Sequence, residues 1–238
     1  MHAVIFGATG CIGAALARQL AARPDIERVH TMSRQPAPSA PPKCQNGRID
    51  VLDEASIAAA AGRVAAAGAP QLVIVATGIL SDGSDLVPER SYKKQSFAAF
   101  ERVFALNTFG PAMVAKHFLP IMPRTNRAVF AALSARVGSI SDNRTGGWHA
   151  YRASKTALNM LIRNYAIEQA WRNPDFIAIS LHPGTVDTGL SKPFQKSVPD
   201  RQLFSPEQSA SYLLSVIDQL TPDDTGKAFD WAGEEIPA

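Results

Sequence analysis

The stretch Ala3-Val4-Ile5-Phe6-Gly7-Ala8-Thr9-Gly10-Cys11-Ile12-Gly13-Ala14-Ala15-Leu16 decides the fold. Four apolar residues run into a glycine-rich turn, and Cys11–Ala22 follows with helix period and a high alanine content. A buried strand, a tight turn and a helix are predicted in that order. Glycines there permit a close backbone approach to a pyrophosphate, whose charge would rest on the helix N-terminus. Gly7, Thr9, Gly10, Cys11 and Ile12 are therefore candidate phosphate-binding residues. Placed between a strand and a helix, three glycines carry more weight than the same pattern elsewhere.

Outward from this turn, strand-length apolar runs alternate with helical segments. Val29–Met32, Gly47–Val51, Leu72–Ala76, Ala128–Ser134 and Ile177–Leu181 read as strands, and Ala228–Trp231 as a last edge strand. Glu54–Ala67, with Asp53 as its cap, and Phe97–Phe118, Trp148–Trp171 and Pro206–Leu220 read as helices. Leu72–Ala76 is almost wholly aliphatic, as a strand covered on both faces should be. Gln35–Lys43 carries four prolines and reads as a surface loop, because the alternation resumes directly after it. The predicted fold is α/β: a Rossmann-type, doubly wound parallel sheet forming a single domain over residues 1–238.

Composition narrows the function. The 238 residues are 46% hydrophobic and 19% charged, with a net charge of +3, which is ordinary for a globular chain. Lys93-Lys94 is the only adjacent basic pair, so no stripe for nucleic acid exists. No apolar run reaches membrane-spanning length. The first strand begins at His2 or Ala3, which leaves no room for a signal peptide. Cys11 and Cys44 form no CxxC pair, and the histidines have no paired spacing. The expectation is a cytoplasmic protein with free thiols, no metal, no membrane and no nucleic-acid partner.

About twenty residues past the turn, a site for NAD(H) would offer a carboxylate to the ribose 2′-hydroxyl. The second strand ends instead in Ser33-Arg34, with no acid. A hydroxyl and a guanidinium suit a 2′-phosphate. NADP(H) is favoured on this ground and NAD(H) is left open.

Tyr151-Arg152-Ala153-Ser154-Lys155 puts a phenol and an ammonium at i and i+4, on one helix face. The ammonium, together with a positive nicotinamide ring, would draw the phenol from its usual pKa of about 10 towards working pH. Such a tyrosine can protonate a carbonyl oxygen as hydride arrives, or take the proton back from an alcohol.

Here the chain resembles the short-chain dehydrogenase/reductases of shorter, single-domain length. Leu133 to Ile140, Asp142-Asn143, Gly146-Gly147-Trp148 and His182-Pro183-Gly184-Thr185-Val186-Asp187-Thr188 resemble the C-factor and sniffer-like carbonyl reductases within that superfamily. The resemblance implies that Tyr151 is the acid/base and that Lys155 lowers its pKa and holds the nicotinamide ribose. It implies that Asn107 supports Lys155 through a water. The family's carbonyl-binding serine falls on Ala135 in this chain, so the adjacent Ser134 is favoured, with Ser139 as the alternative. Further implied cofactor contacts are Asp50-Val51, Ala76-Thr77-Gly78, Pro183-Gly184, Val186 and Thr188.

Gly7, Gly10 and Gly13 are spaced as in the extended branch of the superfamily, but 238 residues leave no space for that branch's larger substrate domain. Thr185–Phe204 is read as a mobile lid over the substrate, and His149 as a helix-start residue. The partner implied is a small carbonyl or alcohol, and the two long helices imply a homodimer or homotetramer. The missing serine keeps a second reading in view: a dinucleotide-binding redox-sensing or signalling protein with little turnover.

Overall fold

In a computed structural model, residues 1–36, 39–83, 85–197 and 199–238 are described. Ala37 and Pro38 of the proline-rich loop, Ser84, and Val198 of the expected lid lie outside the described residues. An eight-stranded sheet forms the centre, built from β1 (His2–Phe6), β2 (Arg28–Ser33), β3 (Cys44–Arg48), β4 (Leu72–Val75), β5 (Ala128–Leu133), β6 (Phe176–His182), β9 (Ala228–Asp230) and β10 (Glu235–Ile236). Its order is β10-β9-β6-β5-β4-β1-β2-β3. All neighbours run parallel except β10, which is antiparallel to β9. A separate parallel pair joins β7 (Thr185–Val186) to β8 (Leu203–Phe204), tying together the two ends of the expected lid.

The period of two along each strand divides the core into two layers. Ala3 and Ile5 of β1 face one cluster with α1 (Cys11–Ala22) and α6 (Pro206–Gln219). Val4 and Phe6 face the other, with α2 (Glu54–Ala67), α4 (Gly110–Phe118) and α5 (His149–Ala170). Phe6 meets Phe118 edge-to-face with centroids 4.9 Å apart, a geometry that adds about 0.5–1.5 kcal/mol beyond burial. Helices on both faces of a mostly parallel sheet make the doubly wound, Rossmann-type α/β fold expected from the alternation. Strand order reverses between β1 and β4, and a crevice at the carboxyl ends of the strands is the consequence.

Three expected elements come out differently. The third strand is Cys44–Arg48 rather than 47–51. As the sheet's edge it is largely exposed, so no apolar pattern marks it, and buried Ile49 and Val51 belong to the turn beyond. The helix over 97–118 is interrupted: α3 (Phe97–Phe104) passes through a π-helical turn, Ala105–Phe109, into α4. The last parallel strand, β9, is not an edge, because β10 covers it. Asp53 caps α2 as expected, accepting from the Ala55 and Ser56 amides at 3.0 and 3.4 Å.

Candidate active site

The crevice holds two adjoining cavities that share Ala76, Thr77 and Gly78 in their walls. The larger, about 760 Å³, is lined by Gly7, Thr9, Gly10, Ser33, Arg34, Asp50 and Val51 among others. The smaller, about 460 Å³, collects Ile12, Ser134, Ala135, Tyr151, Lys155, Pro183, Gly184, Val186 and Thr188. Cys11 lines neither; it is exposed at the first residue of α1. Asn107 lies fully buried behind Gly78.

The first turn is shaped for close approach. Gly7 has φ +77°, and its amide donates to the Met32 carbonyl at 2.9 Å. A Cβ on Gly13 would fall well inside contact distance of the Gly7 carbonyl, so α1 can pack against the turn only through glycine. Thr77 Oγ1 is buried, with no hydrogen-bond partner among the described residues, at the junction of the two cavities. A buried hydroxyl without a partner is costly, and a ligand rich in oxygen acceptors would satisfy it. The glycine cradle, the orphaned hydroxyl and the guanidinium of Arg34 fit a nucleotide's pyrophosphate, ribose and phosphate.

Tyr151 and Lys155 are one turn apart on α5, with Nζ 5.8 Å from the Tyr151 ring centroid. Lys155 is buried and donates to the Leu133 carbonyl at 2.8 Å. Burial pushes the Tyr151 phenol up to about 12 and draws the Lys155 ammonium down to about 8. The expected lowering of the phenol is thus not present in the chain by itself. Loss of hydration outweighs attraction to an ammonium committed to a carbonyl.

Asn107 sits in the π-helical turn and bonds both backbone groups of Ile79, with Oδ1 accepting at 2.7 Å and Nδ2 donating at 2.9 Å. Its Nδ2 also reaches Ser154 Oγ at 3.2 Å. A Cβ on Gly78 would lie 3.3 Å from Asn107 Oδ1 and 3.5 Å from Lys155 Nζ, so this glycine brings the backbone against both groups.

Of the two serines, Ser134 lines the smaller cavity, and its Oγ donates to Asn159 Oδ1 at 2.8 Å. Ser139 is buried, does not line either cavity, and accepts the Asp142 amide at 3.1 Å. Ala135 reaches the cavity without a hydroxyl.

Several wall residues escaped the sequence reading. Trp148 enters α5 in the left-handed conformation, φ +49°, and its ring meets that of Phe194 of the expected lid at a tilt, with centroids 4.9 Å apart. The two preceding glycines are the signal that could have marked this bend. His182 lines the smaller cavity, with burial pulling its pKa down to about 4. Arg136 is held by Asp230 at 2.8 Å and Asp142 at 3.1 Å. Arg48, on β3, lines the larger cavity. His149 is the first residue of α5 and lines neither cavity.

A glycine-cradled crevice at the carboxyl ends of a doubly wound parallel sheet defines a Rossmann-type α/β protein. The family model described as short chain dehydrogenase matches residues 1–199, and the chain belongs to that family of oxidoreductases. It is 36% identical over 141 residues to the C-signal of Myxococcus xanthus, covering 59% of this chain and 80% of that protein. It is 31% identical over 180 residues to 1-hydroxy-2-glutathionyl-2-methyl-3-butene dehydrogenase of Rhodococcus, covering 75% of this chain and 74% of that protein. Among solved structures, the carbonyl reductase Sniffer of D. melanogaster superposes with a TM-score of 0.85 at 19% identity, covering 100% of this chain and 99% of that one. NADPH-bound carbonyl reductase from chicken fatty liver gives 0.81 at 23%, covering 100% and 98%. No described helix is long and apolar enough to cross a membrane.

Proposed function

We propose that the chain is an NADP(H)-dependent oxidoreductase that reduces a carbonyl, or oxidises a secondary alcohol, with Tyr151 as general acid/base. One observation carries this reading: Tyr151 and Lys155 line the smaller cavity, which shares its wall at Ala76, Thr77 and Gly78 with the larger one. The nicotinamide, when bound, supplies or accepts the hydride. Gly7, Thr9 and Gly10 form the turn that receives the pyrophosphate, with Cys11 and Ile12 opening the helix whose N-terminus faces it, while Ser33 and Arg34 meet the 2′-phosphate. Asp50 and Val51 contact the adenine, Ala76, Thr77 and Gly78 the ribose side, and Pro183, Gly184, Val186 and Thr188 the nicotinamide end.

A phenol that burial keeps protonated at neutral pH is a proton donor, which suits reduction. Lys155, charged below about pH 8, stabilises the phenolate left after transfer. Asn107 holds the backbone at Ile79 and the water between it and Lys155. Ser134 binds the substrate oxygen by turning its proton from Asn159 into the cavity. Exposed Phe97, Phe109, Met160, Ile167 and Trp171 on α3 to α5 support pairing of copies through these helices.

The absence of a hydroxyl at Ala135 favours the second reading, a dinucleotide-binding sensor with little turnover. Mixing the protein with NADPH and a panel of ketones, quinones and aldehydes separates the two. Turnover that Tyr151→Phe lowers by about 10²–10⁴-fold, with NADPH still bound, is the expected outcome. Binding without reduction of any carbonyl favours the sensor.

A further inference from the structure

The larger cavity holds a second guanidinium that the reading above leaves unused. β2 and β3 pair in parallel with Ser33 opposite Arg48, and paired residues of neighbouring strands present their side chains on one face. Ser33, Arg34 and Arg48 all line the same cavity. Both arginines are exposed, and neither takes part in an ion pair or side-chain hydrogen bond among the described residues. Some other surface arginines are held, as Arg18 is by Glu207, Arg23 by Asp218 and Arg102 by Asp82. The nearby Asp50 turns its Oδ1 to the Leu52 amide at 3.0 Å. Arg34 and Arg48 are thus two uncommitted cations in the wall of one cavity.

A phosphate monoester carries about 1.5 to 2 negative charges at neutral pH and three strong acceptor oxygens. A single guanidinium covers two of those oxygens in fork geometry, leaving charge and one oxygen unmatched. A second planar donor from the adjacent strand matches them. We infer that Arg48 and Arg34 together clamp the ribose 2′-phosphate, so that Arg48 is a specificity-determining residue for NADP(H) over NAD(H). The inference rests on the NADP(H) reading and goes beyond it by placing half of the discrimination on the edge strand.

The test is the dissociation constant for NADPH and for NADH, by calorimetry or fluorescence titration, in the unaltered protein and in Arg48→Ala, Arg48→Lys and Arg34→Ala. Arg48→Ala is expected to weaken NADPH on the order of tenfold and to leave NADH unchanged. Arg48→Lys should recover part of the loss, since it keeps the charge but not the fork. If Arg34→Ala weakens NADPH and Arg48→Ala does not, the inference falls and the cofactor reading stands. Equal losses for NADPH and NADH in Arg48→Ala also overturn it, because the contact would then be to the shared adenosine. An unaltered protein that binds both cofactors equally tightly overturns the cofactor reading and the inference with it.

Discussion

Asn107 closes its side-chain amide on the backbone of Ile79 at both ends, accepting the N–H at 2.7 Å and donating to the C=O at 2.9 Å. It does so from a π-helical turn between α3 and α4, where the widened helix frees a side chain to bond backbone at a distance of 28 residues. Asn107→Ala strands two backbone polar groups beside a buried amine. Stability should fall by about 1–3 kcal/mol, measured by urea unfolding. Restoring the amide one methylene further out, in Asn107→Gln, should recover little.

Gly13→Ala places a methyl group against the Gly7 carbonyl and forces α1 away from the turn. NADPH affinity should fall on the order of a hundredfold, beyond the tenfold that 1.4 kcal/mol represents. Gly62→Ala, where an added Cβ meets nothing within 4 Å, should bind NADPH normally.

Ser134→Ala should lower kcat for a ketone on the order of 10²-fold, as loss of a donor to a developing oxyanion does. Ser139→Ala should leave kcat unchanged, since its hydroxyl holds the Asp142 amide instead. Ala135→Ser in the Ser134→Ala background should restore part of the rate. Equal kcat in Ser134→Ala and the unaltered protein would assign the role elsewhere.

The buried pair sets two pH dependences. Reduction should run at a constant kcat at neutral pH and decline as pH rises through about 8, where Lys155 loses its proton. Stability should move the other way. Lys155 has a folded pKa below its unfolded value, so between about pH 8 and 10 the unfolded chain binds more protons. Unfolding free energy should rise by roughly 2–3 kcal/mol over that window. Above pH 10, Tyr151, whose folded pKa is raised to about 12, should reverse the trend. Lys155→Met should flatten the rise between pH 8 and 10 in urea titrations.

Much of this molecule is local and could be read from the chain. The strand–turn–helix at Ala3–Ala22 rests on glycine stereochemistry and apolar period, and Tyr151 and Lys155 share a face because four residues make about one helical turn. Burial on both faces makes Ala3–Phe6 of β1, and all of β4 and β5, continuous apolar runs, which is why their bounds were legible within a residue. β3 was misplaced for the opposite reason. An exposed edge strand needs no apolar pattern, so only its ladder with β2 defines it.

What the tertiary structure alone decided depends on residues far apart in the chain. Ser134 meets Asn159, Asn107 meets Ile79, Trp148 meets Phe194, and Arg48 stands opposite Ser33. None of these pairs has a periodic signal, because a contact across the fold leaves no trace in the spacing of either partner. The protonation of the central pair is of the same kind. Spacing put an ammonium beside a phenol, and the expected lowering of its pKa also called on a bound nicotinamide. In the chain by itself, burial raises it, since the cost of dehydrating a charge sums over every neighbour and not over one residue four places along.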